Sequence, residues 1–211
     1  MNNQNNVILA IESAISGGSI SLQKDGIEIA NWIGSSSVSK AEDLLVNIDA
    51  VLTSTGVSRH DIDLVAVSAG PGSFTGIRIG LATSLGLKAG LGIKMASESA
   101  LKAMVWDKPA GRPVSTALPV GRNSICLQKF QIIDGEVVAL EDPHTLPDDI
   151  FLEFLRNEKD TEFVLHESLY DRCDVMSPIA NFGTNIAFAI GSVCARHPGL
   201  ITEPLFISKS A

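Results

Sequence analysis

A glycine- and proline-rich stretch at residues 69–80 (AGPGSFTGIRIG) constrains this chain more than any other segment. The apolar run at 63–68 before it predicts a buried strand, and residues 74–88 after it predict a helix of about four turns. Ser73 is placed to cap that helix through its hydroxyl, and glycines just before it allow backbone angles that other residues avoid. The chain therefore passes from strand to helix through a tight turn here.

This turn supports two interpretations, and the sequence alone leaves both open. Free amides and the positive end of a helix dipole can bind an anion. Alternatively, Gly76 and Gly80 lie four apart on one helical face, as do Gly86 and Gly90, and would let another backbone approach closely. The spacing matches neither the Walker phosphate loop nor the dinucleotide fingerprint. Because each glycine in a helix interior costs about 1 kcal/mol relative to alanine, close packing is the favoured interpretation.

Composition predicts a folded protein whose own surface does not hold nucleic acid. Hydrophobic residues make up 45% and charged residues 19% of the chain, with a net charge of −8. A nucleic-acid backbone needs clustered Lys and Arg, so another subunit would have to hold it. The polar start at 1–6 is no signal peptide, and Asn181 and Asn185 interrupt the apolar run 179–195, which favours a core helix over a membrane span. We expect a cytoplasmic protein with reduced thiols.

Hydrophobic patterning predicts an α/β chain in two lobes, 1–108 and 109–211, because Pro109, Gly111 and Pro113 mark a break. A hairpin turn at Asp25 and Gly26, a capping box at 39–42 and a helix stop at Gly56 organise the first lobe. We expect the last helix to pack back on that lobe. The predicted strands are 7–11, 19–22, 27–33, 63–68, 93–96, 114–120, 124–130, 131–140 and 162–165, and the predicted helices are 39–55, 74–88, 98–106, 147–157 and 179–196.

Potential metal ligands and nucleophiles are scattered along the sequence. The histidines are His60, His144, His166 and His197, and the cysteines are Cys126, Cys173 and Cys194. Neither set has the spacing of a metal site, so we expect surface or loop histidines and buried cysteines, with no catalytic residue and no metal ligand.

Three segments resemble the TsaB (YeaZ) family of bacterial tRNA threonylcarbamoyladenosine biosynthesis proteins. They are residues 8–13 (ILAIES), 70–82 (GPGSFTGIRIGLA) and 203–207 (EPLFI). The middle segment is highly specific, and the resemblance covers essentially the whole chain, faintest between Pro109 and Pro178. The chain departs from the family at three places. Glu12 stands at a position where family members usually carry Asp. Residues 39–42 (SKAE) stand where the family often has a His-containing segment, and residues 119–122 (PVGR) stand where it usually has an Asp-Ala-Arg-like stretch.

The resemblance implies an α/β actin-like ATPase (ribonuclease H-like) fold, in two lobes with mixed sheets flanked by helices. It also implies a non-catalytic partner of TsaD, the subunit that transfers the threonylcarbamoyl group to adenosine in tRNA. The small ATPase TsaE would join the pair, tRNA would be contacted only through the complex, and ATP or ADP would bind at most at a subunit interface. An ATP-dependent kinase or transferase is the alternative, and a glycoprotease-like peptidase is the weakest hypothesis.

Glu12 and Ser13, at the end of the first predicted strand, are the candidate nucleotide contacts of such a fold. The carboxylate would approach the magnesium ion of a nucleotide, and Ser13 a phosphate. Gly17 and Gly18 in the next turn would supply backbone amides. The alternative is a polar strand end in contact with solvent. We favour it, because no second acidic motif and no adenosine-binding glycine pair follows in the sequence.

The helices 39–55 and 74–88 each carry a broader apolar stripe than a lone lobe needs. We therefore predict that they pack against the same pair of a second molecule as a four-helix bundle, in a homodimer alone and in a heterodimer with a TsaD-type subunit. The predicted interface residues are Ala41, Leu44, Leu45, Ile48, Leu52, Gly72, Phe74, Gly76, Ile77, Gly80 and Leu81. A charge at Leu45 or Ile77 would then break association without unfolding the chain. The alternative is that the whole stripe is intramolecular core.

Overall fold

The computed structural model describes residues 6–15, 17–35, 43–121, 123–158, 161–170 and 179–205. The chain divides into two compact units, one of Met1–Ala100 with Asn185–Ala211 and the other of Leu101–Thr184. The observed boundary at residue 100 lies earlier than the predicted one at 108, and the C-terminal segment belongs to the first unit. Within the described residues, no helix has the length and hydrophobicity needed to cross a membrane.

The first unit contains a five-stranded mixed sheet flanked by helices. Its elements are β1 (Val7–Glu12), β2 (Ser19–Lys24), β3 (Ile27–Ile33), α1 (Leu44–Thr55), β4 (Leu64–Ser68), α2 (Phe74–Leu91), β5 (Lys94–Glu98) and α6 (Ile186–Cys194). The strand order is β3-β2-β1-β4-β5, with β1 antiparallel to β2 and parallel to β4. Asp25 and Gly26 form the hairpin turn, with φ of 54° and 80°, so the predicted antiparallel opening is confirmed.

The two faces of this sheet carry different helices because side chains alternate along each strand. Leu9 and Val67 on one face form a buried core with Ile48 of α1, and half-buried Leu81 of α2 packs against the same core. On the other face α6 lies so close that a side chain at Gly191 would overlap the Gln23 amide.

Two hydrogen bonds anchor α6 to β2, which explains why the end of the chain belongs to the first unit. The Ala187 amide donates to Ser19 Oγ at 3.1 Å, and Gln23 Nε2 donates to the Phe188 carbonyl at 2.9 Å.

The second unit contains a six-stranded sheet with an additional helical layer. Its elements are α3 (Ala100–Ala103, starting at the boundary), β6 (Val114–Pro119), β7 (Ser124–Ile133), β8 (Glu136–Ala139), β9 (His144–Pro147), α4 (Asp148–Asn157), β10 (Glu162–Leu165), α5 (Glu167–Tyr170) and β11 (Ile179–Asn181). The strand order is β11-β10-β6-β7-β8, and β9 also pairs with β7. Phe151 and Leu155 of α4 pack on this sheet and close its core.

The turn expected at Asp134 and Gly135 is confirmed, because both residues adopt positive φ and form the hairpin turn between β7 and β8. The strands predicted at 124–130 and 131–140 have other bounds, because β7 runs without a break up to this turn. The helix predicted at 98–106 shortens to α3, and β9 and α5 were not predicted.

The helix predicted at 179–196 is also wrong at its start. Residues 179–181 form the short strand β11, which pairs with β10, and Asn185 then caps α6 by accepting from the Phe188 amide. An apolar run this short does not distinguish a strand from a helix, so its pairing partner decides.

The ends of α1 and α2 follow the predicted local signals. Gly56 and Gly92, each with φ of 69°, end the two helices, and Ser73 Oγ accepts from the Gly76 amide at the start of α2. The predicted capping box at 39–42 lies outside the described residues.

The glycines at the start of α2 let the turn between β1 and β2 lie directly on the helix. A Cβ on Gly76 would overlap the Ser13 carbonyl oxygen, and a Cβ on Gly80 would overlap Ser13 Oγ. A Cβ on Gly72 would lie 2.5 Å from the Ala14 carbonyl oxygen. The close-packing interpretation is confirmed for Gly76 and Gly80, and the approaching groups belong to the same chain. It is wrong for Gly86 and Gly90, where an added Cβ would meet nothing within 4 Å.

His166 is the one predicted surface histidine that the structure buries, whereas His60, His144 and His197 are exposed. His166 is 4% exposed, and its Nδ1 lies 2.8 Å from Ser168 Oγ at the start of α5. Burial lowers the pKa of His166 to about 4, because the apolar surroundings disfavour the imidazolium.

We predict that Gly76→Ala destabilises the first unit by about 2 kcal/mol, because the added Cβ meets a backbone carbonyl that cannot rotate away. Gly86→Ala is the matched control, since it lies in the same helix with nothing within 4 Å of the added Cβ. It should stabilise the protein by roughly 0.5 to 1 kcal/mol. Chemical denaturation measures both free energies of unfolding. Equal stability of the two variants would contradict the close contact.

We also predict that acid weakens the protein through His166. In the unfolded state His166 binds a proton near pH 6.5, but in the folded state only near pH 4, so the free energy of unfolding falls as pH drops through this window. Between pH 7 and pH 4.5 the loss should reach about 2 kcal/mol. His166→Asn keeps a side-chain acceptor at the start of α5 without titrating there. Urea denaturation should show a smaller loss for it, and identical losses would rule out His166 as the cause.

Candidate functional site

The carboxyl ends of three parallel strands bring Glu12, Ser68 and Glu98 to one edge of the first sheet. Ile11 at the end of β1 is paired with Val67 of β4, and Ser68 with Glu98 of β5. Ligands of open α/β sheets bind at this edge, so it is the place to look for a site. Glu98 was missed from the sequence because β5 was predicted to end at residue 96, whereas the strand register places Glu98 level with Ser68.

Glu12 is 3% exposed, so the predicted contact of this strand end with solvent is wrong. Its Oε1 accepts hydrogen bonds from the backbone amides of the two residues of the following turn, Ala14 and Ile15, the latter at 2.9 Å. The Glu12 carboxylate therefore stabilises the turn that follows it in its own chain.

Two of the other predicted nucleotide contacts, Ser13 and Gly18, are likewise engaged within the chain, and Gly17 lies close to Gly34. Ser13 Oγ donates to the Gly76 carbonyl at 2.9 Å. The Gly18 amide donates to the Ile15 carbonyl at 3.0 Å, and the Gly18 carbonyl accepts from the Gly34 amide. A nucleotide phosphate needs such amides and hydroxyls as donors, so these residues do not fit one in this conformation.

The segment 200–205 crosses the same edge beside β5. The Ser97 amide donates to the Leu200 carbonyl, and the Thr202 amide donates to Ser97 Oγ, both at 2.9 Å. Glu98 Oε1 accepts from the Ser99 amide at 2.8 Å and lies 3.4 Å from Thr202 Oγ1. The strand ends are therefore covered by the chain's own backbone on this side.

The described residues include no group of three His, Cys, Asp or Glu side chains placed to hold a metal ion. Cys126 and Cys194 are buried, as predicted, and Cys173 lies outside the described residues. Burial raises the pKa of Cys126 to about 12, so its thiol stays protonated at neutral pH and is a poor nucleophile.

The predicted interface residues separate into two groups. Leu44, Ile48, Leu52 and Ile77 are buried in their own unit, and Gly76 and Gly80 pack against Ser13 of the same chain, so the prediction that these six contact a second molecule is wrong. Gly72 and Leu81 are half-buried, and Ala41 lies outside the described residues. Leu45 and Phe74 are exposed.

We call the exposed large apolar residues of the two helices the outer helix face. It consists of Leu45 (61% exposed) and Val46 (65%) of α1 with Phe74 (49%) and Leu85 (54%) of α2. The Arg78 guanidinium lies 3.7 Å above the Phe74 ring, a cation–π contact. The sequence alone did not single out Val46 and Leu85, because it does not show which apolar positions of each helix face the sheet. Val46 lies about 160° around α1 from the buried Leu44 and Ile48, and Leu85 lies beside the buried Ser84, on the flank of α2.

Comparison with known proteins identifies the family of this chain. Residues 36–177 match the family model described as TsaD, tRNA N6-adenosine threonylcarbamoyltransferase. The tRNA threonylcarbamoyladenosine biosynthesis protein TsaB of Escherichia coli is 32% identical over 127 residues, covering 59% of this chain and 54% of that protein. The TsaB protein of Haemophilus influenzae is 31% identical over 102 residues, covering 48% and 42%. The aligned part thus spans about half the length of these relatives.

A solved structure gives the fold. The Pseudomonas aeruginosa protein described as similar to peptidase YEAZ superposes with a TM-score of 0.70 at 18% identity, over 96% of this chain and all of that one. The predicted actin-like fold with two mixed sheets flanked by helices is confirmed. The chain belongs to the TsaB (YeaZ) family, within the wider group that the threonylcarbamoyltransferase model describes.

Proposed function

We propose that this chain is a non-catalytic partner subunit of a TsaD-type threonylcarbamoyltransferase and is required for threonylcarbamoyladenosine modification of tRNA. The outer helix face is the observation that carries the proposal. The relatives named as tRNA threonylcarbamoyladenosine biosynthesis proteins support the pathway, and the matched transferase family supports the identity of the partner.

The outer helix face has the character of an interface. Single exposed apolar residues are normal on a protein surface, but several large ones on helices that pack on the same core favour a binding surface. Here α1 and α2 both pack on the same core, so their outward sides face away from the same side of the sheet. Two helices of a partner laid on this face would complete a four-helix bundle.

Two alternative partners would bind this same face. A second copy of this chain would cover it in a homodimer when no transferase is present, and the transferase subunit would replace that copy in the working complex. A TsaE-like ATPase would join the heterodimer. With a net charge of −8, this chain would approach tRNA only through the complex, in the cytoplasm.

A catalytic function has less support in the strand-end geometry. An ATP-dependent kinase or transferase needs free donors for phosphate groups, and the donors of the turn after β1 are engaged within the chain. ATP or ADP would therefore need groups from a second subunit. A peptidase would need an activated nucleophile or a metal site, and the protonated thiol of Cys126 is not one.

We predict that Leu45→Glu and Leu85→Glu each weaken association with the transferase subunit by at least about tenfold, because a charge would be buried unpaired in the bundle. Folding should be unaffected within about 0.5 kcal/mol, since both side chains are exposed. The mass in solution, measured by light scattering with and without the transferase, reports both assemblies. Thermal melting checks the fold.

Ile150→Glu is the matched control, because Ile150 is a similarly exposed apolar residue on α4 of the other unit. It should leave both assemblies intact. Ile77→Glu, in contrast, should unfold the first unit, because Ile77 is 1% exposed. The proposal fails if the Leu45 and Leu85 variants associate like the wild type, or if Ile150→Glu dissociates the complex equally.

A further inference from the structure

We infer that Glu12 is an internal anion: its carboxylate occupies the backbone amides of the turn after β1 and so closes that turn to phosphoryl ligands. This inference concerns the chain alone and goes beyond its pairing with a transferase.

The contact has the chemistry of an anion site. The amides of Ala14 and Ile15 are consecutive, and both point at the same oxygen, Glu12 Oε1. Consecutive amides that converge in this way form the concave donor arrangement that binds phosphate in other turns. Hydrogen bonds to an ionised acceptor are roughly twice as strong as those between neutral groups. A buried carboxylate from the same chain therefore fills the position that an external anion would need.

The turn is held in this shape from two sides, independently of the carboxylate. On the α2 side, the Ala14 carbonyl accepts from the Ser73 amide at 2.7 Å, and it lies so close to Gly72 that a Cβ there would be 2.5 Å from it. On the β3 side, the Gly34 amide donates to the Gly18 carbonyl at 3.1 Å, and a Cβ on Gly17 would lie 2.5 Å from the Gly34 carbonyl oxygen. Removal of the Glu12 side chain should therefore leave both amides in place as donors.

Glu98 provides the matched control. It is a second buried glutamate at the same edge of the sheet, but the amide that donates to its carboxylate belongs to the adjacent Ser99, and Thr202 Oγ1 lies beside it. Removal of its carboxylate should cost stability without creating a pair of convergent amides.

The experiment measures thermal melting of the wild type, Glu12→Ala and Glu98→Ala with inorganic phosphate, against sodium chloride at equal ionic strength. We expect no phosphate-specific shift for the wild type. Glu12→Ala should melt lower and regain about 4 °C when phosphate exceeds its Kd about tenfold. Glu98→Ala should melt at a lower temperature than the wild type, and phosphate should not raise its melting temperature. The inference is overturned if phosphate stabilises the wild type, or if it stabilises Glu98→Ala as strongly as Glu12→Ala. It is also overturned if Glu12→Ala folds but its melting temperature does not change with phosphate.

Glu12→Gln keeps the inference testable if Glu12→Ala does not fold. The glutamine oxygen still accepts from the two amides and fills the space, but the charge is lost. We expect this variant to fold, to melt below the wild type and to show no response to phosphate. A Glu12→Gln variant as stable as the wild type would contradict the role of the charge. Because none of these measurements involves the outer helix face, their failure leaves the proposed pairing untouched.

Discussion

The fold of the first unit depends on the contact between the turn after β1 and the start of α2. Backbone atoms of Ser13 and Ala14 lie where side chains at Gly76 and Gly72 would be, and the Ser13 hydroxyl lies where a side chain at Gly80 would be. Only glycine permits these distances. The cost of several glycines in one helix is offset by the hydrogen bonds that the approach allows, including the 2.7 Å bond from the Ser73 amide to the Ala14 carbonyl. The contact places β1, β4 and α2 relative to one another, and the remaining strands follow by pairing.

This arrangement uses the polar groups at the strand ends for structure. Glu12 satisfies the amides of the turn, Glu98 satisfies the amide of Ser99, and the segment 200–205 pairs beside β5. Open α/β sheets offer this edge to ligands, whereas here Ser13 Oγ and the amides of Ala14, Ile15 and Gly18 donate within the chain. The large apolar side chains that the unit leaves exposed lie on α1 and α2, on β3 and at Leu200 and Ile201. We therefore propose that a partner binds the helices and that the polar groups at the strand ends serve the fold.

Local signals in the sequence predicted much of the fold. The hairpin turn at Asp25 and Gly26, the cap at Ser73 and the helix stop at Gly56 each depend on a few neighbouring residues, and all are confirmed. Properties that depend on distant residues were not predictable. The burial of Ile77 and the exposure of Leu85 depend on how α2 is rotated against the sheet. The position of Glu98 depends on strand register, and the fold-back of the Glu12 carboxylate depends on a turn fixed by α2 and β3.

The central claim is that this protein acts through its outer helix face and not through chemistry at the strand ends. The most direct test is the rate of threonylcarbamoyl transfer to tRNA by a transferase reconstituted with wild-type chain, with Leu45→Glu or with Glu12→Gln, at a temperature where all three are folded. The account predicts that Glu12→Gln supports the wild-type rate, and that Leu45→Glu lowers the rate at least about tenfold at subsaturating concentration. Loss of transfer with Glu12→Gln and full transfer with Leu45→Glu would contradict it.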